Sequence, residues 1–226
     1  QSTTFTLGTD EMGRDVLSRL MYGGRISLIV GVSAMLTTIF VGILIGVLSG
    51  YYGGILDTLL MRFTDTMLCF PQVFLLLVLA AFISPSTLSI ALIIGLTSWM
   101  EVARIIRSQI MQMKEQDFVS AAIAIGASDG RIMFKEVIPN CMSAVLVSAT
   151  LRVAQAILQE SYISFLGYGI QAPDASWGNM LTNSQSYFAS APWLAVAPGL
   201  MITFTVVAFN FLGDGLRDAL DPRLRM

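Results

Sequence analysis

Long stretches without charge dominate the hydrophobic pattern of this chain. No charged residue occurs in 26–56, 66–100 or 175–213, and a fourth apolar stretch, 141–166, contains only two. Each stretch exceeds the ~20 apolar residues that a helix needs to cross the hydrocarbon core of a bilayer. The pattern therefore predicts five membrane spans, at about 26–49, 64–84, 87–107, 141–166 and 193–213.

Helices are the expected form of every span, because backbone groups at bilayer depth must bond within their own segment. The predicted fold class is thus all-α, a polytopic transmembrane helix bundle. In the first span Gly42, Gly46 and Gly50 repeat at GxxxG spacing, which lets two helix backbones approach closely. The close partner is either another helix of this chain or a face between subunits.

The distribution of basic residues predicts the orientation. Five spans place the termini on opposite sides, and lysine and arginine favour the cytoplasmic side. With the N-terminus outside, the outer basic residues are Arg14, Arg19 and Arg25. The cytoplasmic ones are then Arg62, Arg104, Arg107, Lys114, Arg131, Lys135, Arg217, Arg223 and Arg225. We therefore predict an outer N-terminus and a cytoplasmic C-terminus.

Composition excludes several kinds of site. Charged residues make up 12% of the 226 residues and hydrophobic residues 55%, while the net charge is −2. A nucleic-acid partner would call for a basic surface, so none is predicted. There is no histidine, and Cys69 and Cys141 are isolated, so neither a catalytic Ser-His pair nor a metal site is predicted. No GxxxxGK[ST] motif is present to hold a nucleotide.

A polar segment between the third and fourth spans has a helical pattern of its own. Asp117 can cap a short helix with an apolar stripe of Phe118, Ala121, Ala122 and Ile125. Gly126 suits a left-handed stop after that helix. A second short helix is predicted at 130–137, which Ser128 can cap and Pro139 ends. The segment is either a docking element for another protein or an amphipathic connector on the inner leaflet.

The sequence of this segment resembles a known family. "AAIAIGASDGRIMFKEVIPN" (121–140) is similar to the cytoplasmic EAA loop of ABC-importer permeases. Ser120 stands where that family commonly has an acidic residue. The resemblance therefore implies the same helix here, but it implies no salt bridge from residue 120. Three further blocks resemble the second, C-type subunit of the dipeptide/oligopeptide/nickel branch: "LGTDEMGRDVLSRLMYGGRISL" (7–28), "SYISFLGYGIQAPDASWGNML" (161–181) and "NFLGDGLRDALDPRLR" (210–225).

The resemblance implies a fold and a division of the chain. The fold is that of ABC type I importer (MetI-like) permeases, which usually have six spans, so the first is expected to be missing here. The expected parts are an extracytoplasmic segment (1–25), a permease domain (26–214) and a cytoplasmic tail (215–226). Within the permease domain we expect a cytoplasmic coupling loop (108–140) and an outer loop (167–192).

The resemblance also implies partners and a mechanism. The chain is expected to be a non-catalytic subunit in a bacterial or archaeal plasma membrane, importing di- or oligopeptides by alternating access. The implied partners are a second homologous permease chain in a heterodimer, two ATP-binding subunits and an extracytoplasmic substrate-binding protein. No cofactor is expected on this chain, and ATP with Mg would be bound by the ATPase subunits.

Ala121, Ala122, Gly126 and Pro139 match the family's coupling motif. With their neighbours, the predicted coupling site comprises Phe118, Ala121, Ala122, Ile125, Gly126, Ala127, Ser128, Arg131 and Pro139.

Polar residues in the fourth span form a second candidate site. They are Arg152, Gln155, Gln159, Glu160 and Ser164, and their spacing places them broadly on one side of a helix. Intramembrane ionisable residues face a bundle interior or a watery cavity. They are expected either to line the translocation path or to form a hydrogen-bond network between helices.

The outer face provides a third candidate site, an outer gate or docking surface for the binding protein. Its predicted residues are Arg14, Asp15, Pro173 and Trp177. The alternatives are a solvated charged helix face at 7–25, whose charges pair at spacings of three and four, and a plain ordered loop at 167–192. Trp177 and Trp193 are alternatively interfacial anchors.

Three other functions compete with peptide import. The same family includes importers of nickel and other small solutes. A secondary transporter would be expected to show internal repeats with interrupted helices and ion-binding carboxylates, and no convincing repeat is present. An intramembrane hydrolase is disfavoured because the chain has no histidine for a dyad and no paired aspartates on adjacent spans.

Overall fold

A computed structural model of the chain describes residues 5–182 and 184–220, and within those ranges the regular structure is helical throughout. The α-helices are α1 (Val16–Tyr52), α2 (Gly54–Leu68), α3 (Gln72–Phe82), α4 (Thr87–Leu96), α5 (Trp99–Lys114), α6 (Asp117–Ala124), α7 (Asp129–Arg131), α8 (Ile138–Phe165), α9 (Trp177–Thr182) and α10 (Trp193–Leu220). A π-helical turn (Ile132–Val137) joins α7 to α8, and a 3₁₀ turn (Ser184–Tyr187) follows α9.

The helices form a membrane bundle. Three of them are long and apolar enough to cross a bilayer: Val16–Tyr52, Trp193–Leu220, and Asp129–Phe165, in which α7, the π turn and α8 run together. Two further helix pairs qualify jointly but are bent, by 83° between α2 and α3 and by 47° between α4 and α5. The bundle therefore has three spans, or up to five if each bent pair crosses once, and the predicted all-α membrane bundle is confirmed.

The predicted second and third spans, 64–84 and 87–107, are not continuous helices. Pro71 lies at the first break, where it has no N–H to continue the helix of α2. At the second break Thr97 Oγ1 donates back to the Ile93 carbonyl at 2.8 Å. The Gln72 side chain caps this break by donating to the Thr97 carbonyl at 3.2 Å and to Ser98 Oγ at 2.8 Å. The break between α2 and α3 therefore lies beside the break between α4 and α5, and Gln72 connects the two.

Helix α1 is the longest element of the fold and packs along α5. Its 37 residues correspond to about 55 Å of helix. Asp15 caps it, since its carboxylate accepts from the amides of Leu17 and Ser18. At Gly46 a Cβ would lie 2.7 Å from the Ala103 carbonyl oxygen of α5. Gly42 and Gly50 are equally close to α5, so the glycine face serves packing within this chain.

Two helices extend beyond the predicted spans. Helix α1 begins at Val16, so residues 16–25 of the predicted outer segment are helical. Helix α10 continues to Leu220, past residue 213, where the last predicted span ends. Residues 1–4 of the outer segment and 221–226 of the predicted tail lie outside the described residues.

Pro139 does not end a helix, contrary to prediction. It is the second residue of α8, and the helix continues through it from the preceding π turn. A proline inside an α-helix clashes with the carbonyl four residues earlier and lacks the donor for it. A π turn bonds to the fifth residue instead, and such turns occur mostly as local bulges within α-helices. The short helix of the coupling loop is therefore continuous with the long membrane helix.

Candidate functional site

The coupling loop exposes an apolar surface on α6. Val119 is fully buried and fixes this helix to the bundle core, which also holds Ile132 and Val137. Phe118, Ile123 and Ile125 are 40%, 57% and 81% exposed. A short helix and corner that expose three large apolar side chains, with Val119 and the partly buried Ala122 against the core, are suited to contact another protein or the inner leaflet.

The corner after α6 has the geometry that the sequence predicts. Gly126 has a φ of +79°, in the left-handed region that favours glycine. Its amide donates to the Ile123 carbonyl at 2.9 Å, and the Ala127 amide donates to the Ala122 carbonyl at 3.1 Å. An added Cβ at Gly126 would meet nothing within 4 Å. The corner is thus fixed by backbone geometry and open to its surroundings.

The remaining predicted coupling residues surround this corner. Ala121, Ser128, Arg131 and Pro139 are exposed, while Ala122 and Ala127 are partly buried against the core. Ser128 precedes α7 without forming a side-chain cap, and Asp117 is the first residue of α6 rather than its cap. Ile123 and the 68% exposed Phe134 are large apolar residues that the sequence prediction missed. Their hydrophobicity was visible, but only the structure shows that they face outward.

The predicted polar site of the fourth span divides into two parts. In the first, Arg152 lies between α8 and α5. It donates to Gln155 Oε1 at 2.8 Å and forms an ion pair with Glu101 Oε2 at 2.6 Å. The Arg152 side chain is 13% exposed, whereas that of Glu101 is 60% exposed. This pair presents a carboxylate at the surface of the bundle.

The second part is buried. Glu160 is fully buried, and its two carboxylate oxygens accept from Ser27 Oγ of α1 at 3.2 Å and from Ser164 Oγ at 2.7 Å. Gln159 accepts from Ser98 Oγ at 3.3 Å, beside the bend between α4 and α5. Glu160 and Ser164 thus form the interhelical network that was one of the two expectations for this site, while the role of Arg152 and Gln155 in a path stays a prediction.

The outer loop is anchored in this buried network. Trp177 is 2% exposed, its amide donates to Ser27 Oγ at 3.2 Å, and its Nε1 donates to the Leu20 carbonyl at 3.0 Å. Its ring packs on Gly24, where a Cβ would lie 2.7 Å away. Trp177 is therefore a packing residue of the bundle rather than an interfacial anchor. Pro173 lies in the exposed rim of the same loop.

Charged residues of the N-terminal segment meet the outer loop. Arg14 Nε pairs with Asp10 at 2.7 Å and Arg19 Nε with the same carboxylate at 3.4 Å. The predicted spacing holds for Arg14, which pairs with Asp10 at i,i+4 and with Glu11 at i,i+3, but not for the Arg19–Asp10 pair, and residues 10–14 form turns rather than a helix. The group lines a cavity of about 150 Å³ that also touches Asn179 and Ser164.

The carboxylates of this segment are held in their charged form. Partial burial acts to raise the pKa of Asp10, but hydrogen bonds from Arg14 and from the Met12 amide lower it below its ordinary value overall. Asp15 also has a lowered pKa, chiefly because the Ser18 hydroxyl donates to it. The predicted outer residue Asp15 is thus engaged as the cap of α1, whereas Arg14 is partly exposed.

Comparison with known proteins identifies the family. Residues 42–226 match the family described as the binding-protein-dependent transport system inner membrane component. The dipeptide transport system permease protein DppC of Alkalihalophilus pseudofirmus is 40% identical over 218 residues, which cover 96% of this chain and 72% of the relative. The oligopeptide transport system permease protein OppC of Haemophilus influenzae is 42% identical, covering 96% of this chain and 70% of the relative.

Solved structures share the fold. An inward-facing structure of the MetNI methionine ABC transporter superposes with a TM-score of 0.76 at 15% identity, covering 94% of this chain and all of that chain. An amino acid ABC transporter superposes with a TM-score of 0.64 at 16% identity, covering 90% of this chain and 95% of that chain. The helical arrangement described above is thus that of ABC-importer permeases.

Proposed function

This chain belongs to the family of binding-protein-dependent transport system inner membrane components, and we propose that it is the permease subunit through which an ATP-driven importer passes peptides into the cytoplasm. The peptide substrate is supported by relatives at about 40% identity that are named as dipeptide or oligopeptide permeases. Nickel or another small solute is the alternative substrate within the same branch.

The coupling loop carries the proposal. A membrane helix bundle that only lets a solute pass does not need a helix with an exposed apolar surface and a glycine corner outside the spans. Phe118, Ile123 and Ile125 give the loop a surface for a partner, and Val119 fixes α6 to the core through which force can pass. Because the loop runs directly into α8 through the π turn, a displacement of the loop also displaces that membrane helix.

ATP binding and the second half of the transport path would be provided by separate subunits. Two ATP-binding subunits would hold ATP and Mg and bind the coupling loop from the cytoplasm. A second homologous permease chain would form a heterodimer with this one, and the peptide would cross between the two chains. The exposed Glu101 of the Arg152 ion pair is the candidate polar wall of that path.

An extracytoplasmic binding protein would deliver the peptide to the outer face. The rim around Pro173 and the partly exposed Arg14 are the proposed contacts. In this orientation the N-terminal part lies outside a bacterial or archaeal plasma membrane and α10 ends in the cytoplasm, which agrees with the excess of basic residues on the cytoplasmic side.

Uptake by the reconstituted assembly tests the function. Proteoliposomes containing both permease chains and the ATPase subunits would receive the binding protein with labelled di- and oligopeptides, or with Ni²⁺. We expect peptide uptake that requires ATP and the binding protein. Uptake of Ni²⁺ without uptake of peptide would show that nickel, not peptide, is the substrate. Uptake driven by an ion gradient without ATP would indicate a secondary transporter.

A further inference from the structure

Tyr51, at the cytoplasmic end of α1, bonds to the coupling loop. Its hydroxyl donates to Asp129 Oδ1 at 3.0 Å, although 78 residues separate the two in the chain. Tyr51 itself is only 6% exposed and belongs to the same core cluster as Val119 and Ile132, on the two sides of the loop's corner. The loop is therefore attached to α1 as well as to α5 and α8, which flank it in sequence.

The position of Tyr51 is fixed by a second contact. Lys114 Nζ, at the end of α5, donates to the Tyr51 carbonyl at 2.8 Å and lies 5.5 Å from the centre of its ring. The ammonium thus holds both the backbone and the ring of Tyr51. A few residues away, Arg107 pairs with Asp57 Oδ2 at 2.6 Å, and Asp57 also accepts from Ser49 of α1. The cytoplasmic ends of α1, α2 and α5 are thus tied together at the point where Asp129 attaches.

The other end of α1 lies against the outer loop. Ser27 contacts both Glu160 and the Trp177 amide, and Gly24 packs on the Trp177 ring. Between the two ends, the glycine face of α1 packs closely on α5. A single continuous helix therefore connects the coupling loop to the outer loop.

We propose that the Tyr51–Asp129 bond attaches the coupling loop to α1, so that Tyr51 is a positioning residue through which ATP-driven movement of the loop displaces α1 and, with it, the outer loop. This inference rests on the proposed function for the source of the movement. It adds a route to the outer face that does not pass through α8, the membrane helix with which the loop is continuous.

Matched single-atom variants isolate the bond. Tyr51→Phe removes the hydroxyl and keeps the ring over which Lys114 lies, while Asp129→Asn weakens the acceptor. Tyr52→Phe is the control, because Tyr52 is the next residue in α1 and is 52% exposed. The centroid of its ring lies 5.4 Å from the centroid of the Tyr51 ring. The intact assembly would be used for each variant, with thermal stability recorded to verify folding.

The first measurement is amide hydrogen exchange of residues 125–131. We expect about two- to tenfold faster exchange in Tyr51→Phe and in Asp129→Asn, the range that one net hydrogen bond supports. The double variant should be no faster than the singles, because both remove the same interaction. Tyr52→Phe should match the wild type. Unchanged exchange in Tyr51→Phe would overturn the proposal.

The second measurement follows α1 directly. Spin labels at Met21 and Val196, both exposed, would report the distance between the outer ends of α1 and α10 with and without ATP, in a Cys69→Ser background. We expect Tyr51→Phe to reduce the ATP-dependent change in distance by at least about half, and Tyr52→Phe to leave it intact. A full change in Tyr51→Phe, or no change in the wild type, would overturn the proposal. Absence of peptide uptake in the wild type would contradict the proposed function alone, since neither measurement uses peptide.

Discussion

Glu160 joins α8 to α1 inside the bundle, because its carboxylate accepts hydrogen bonds from Ser27 of α1 and from Ser164. A carboxylate inside a membrane span marks a polar site from sequence alone. Its partner Ser27 is 133 residues away in the chain, and hydroxyl partners leave no charge pattern, so the sequence allowed an interhelical network as one of two expectations but did not identify this partner. By contrast, the left-handed corner at Gly126 was predicted, because it depends on local backbone geometry only.

Substitution of Glu160 tests the buried network. Glu160→Leu leaves the hydroxyls of Ser27 and Ser164 without an acceptor, and each unsatisfied buried group costs about 1–3 kcal/mol. Glu160→Gln keeps an amide oxygen that can accept from one of them. We therefore expect thermal unfolding in nanodiscs at a clearly lower temperature for the leucine variant than for the glutamine variant. Equal midpoints would show that the hydroxyl contacts do not stabilise the fold.

At the scale of elements, hydrophobic patterning located the apolar helices but did not predict that two of the five proposed spans are bent pairs of helices. The break at Cys69–Pro71 hardly lowers the mean hydropathy of the stretch, so the mean hydropathy does not reveal it. The bend between α4 and α5 depends on Thr97 and Gln72, polar residues whose contacts arise only once the helices are packed. The role of the glycines in α1 stayed open for a similar reason: GxxxG indicates close approach and does not identify the partner.

The packing of α1 on α5 gives the second test. Gly46→Leu places a side chain against the Ala103 carbonyl and Ile106, so the helices must separate, and overpacking of this kind costs about 1–3 kcal/mol or more. Gly199→Leu is the matched control, because nothing lies within 4 Å of a Cβ at that position of α10. We expect a lower unfolding temperature and a lower yield of folded protein for Gly46→Leu only. If both variants lose unfolding temperature and yield to a similar extent, the cause is the added hydrophobic side chain and not the contact with α5.

On the scale of the whole molecule, helix α1 joins three regions. Its C-terminal end contacts the coupling loop, its glycine face packs on α5, and its N-terminal end holds Trp177. The membrane class, the apolar stretches that contain the spans and the family were accessible from sequence. The connection between the two loops was not, because it depends on contacts at the two ends of a 37-residue helix.

Gly126→Asp tests whether the coupling loop transmits work from separate ATPase subunits. Aspartate tolerates the left-handed backbone better than most residues, so the substitution mainly adds a charge to the corner. Gly215→Asp is the control, since it adds the same charge at an exposed position near the end of α10.

The decisive measurement is ATP-driven peptide uptake by the reconstituted assembly carrying each variant, with the permease pair shown to be folded and assembled. Desolvating an unpaired charge at a protein interface costs several kcal/mol, so we expect uptake at least about tenfold lower for Gly126→Asp and near wild-type uptake for Gly215→Asp. Uptake by Gly126→Asp equal to that of the wild type would mean that the loop only connects two helices and transmits no work from the ATPase subunits.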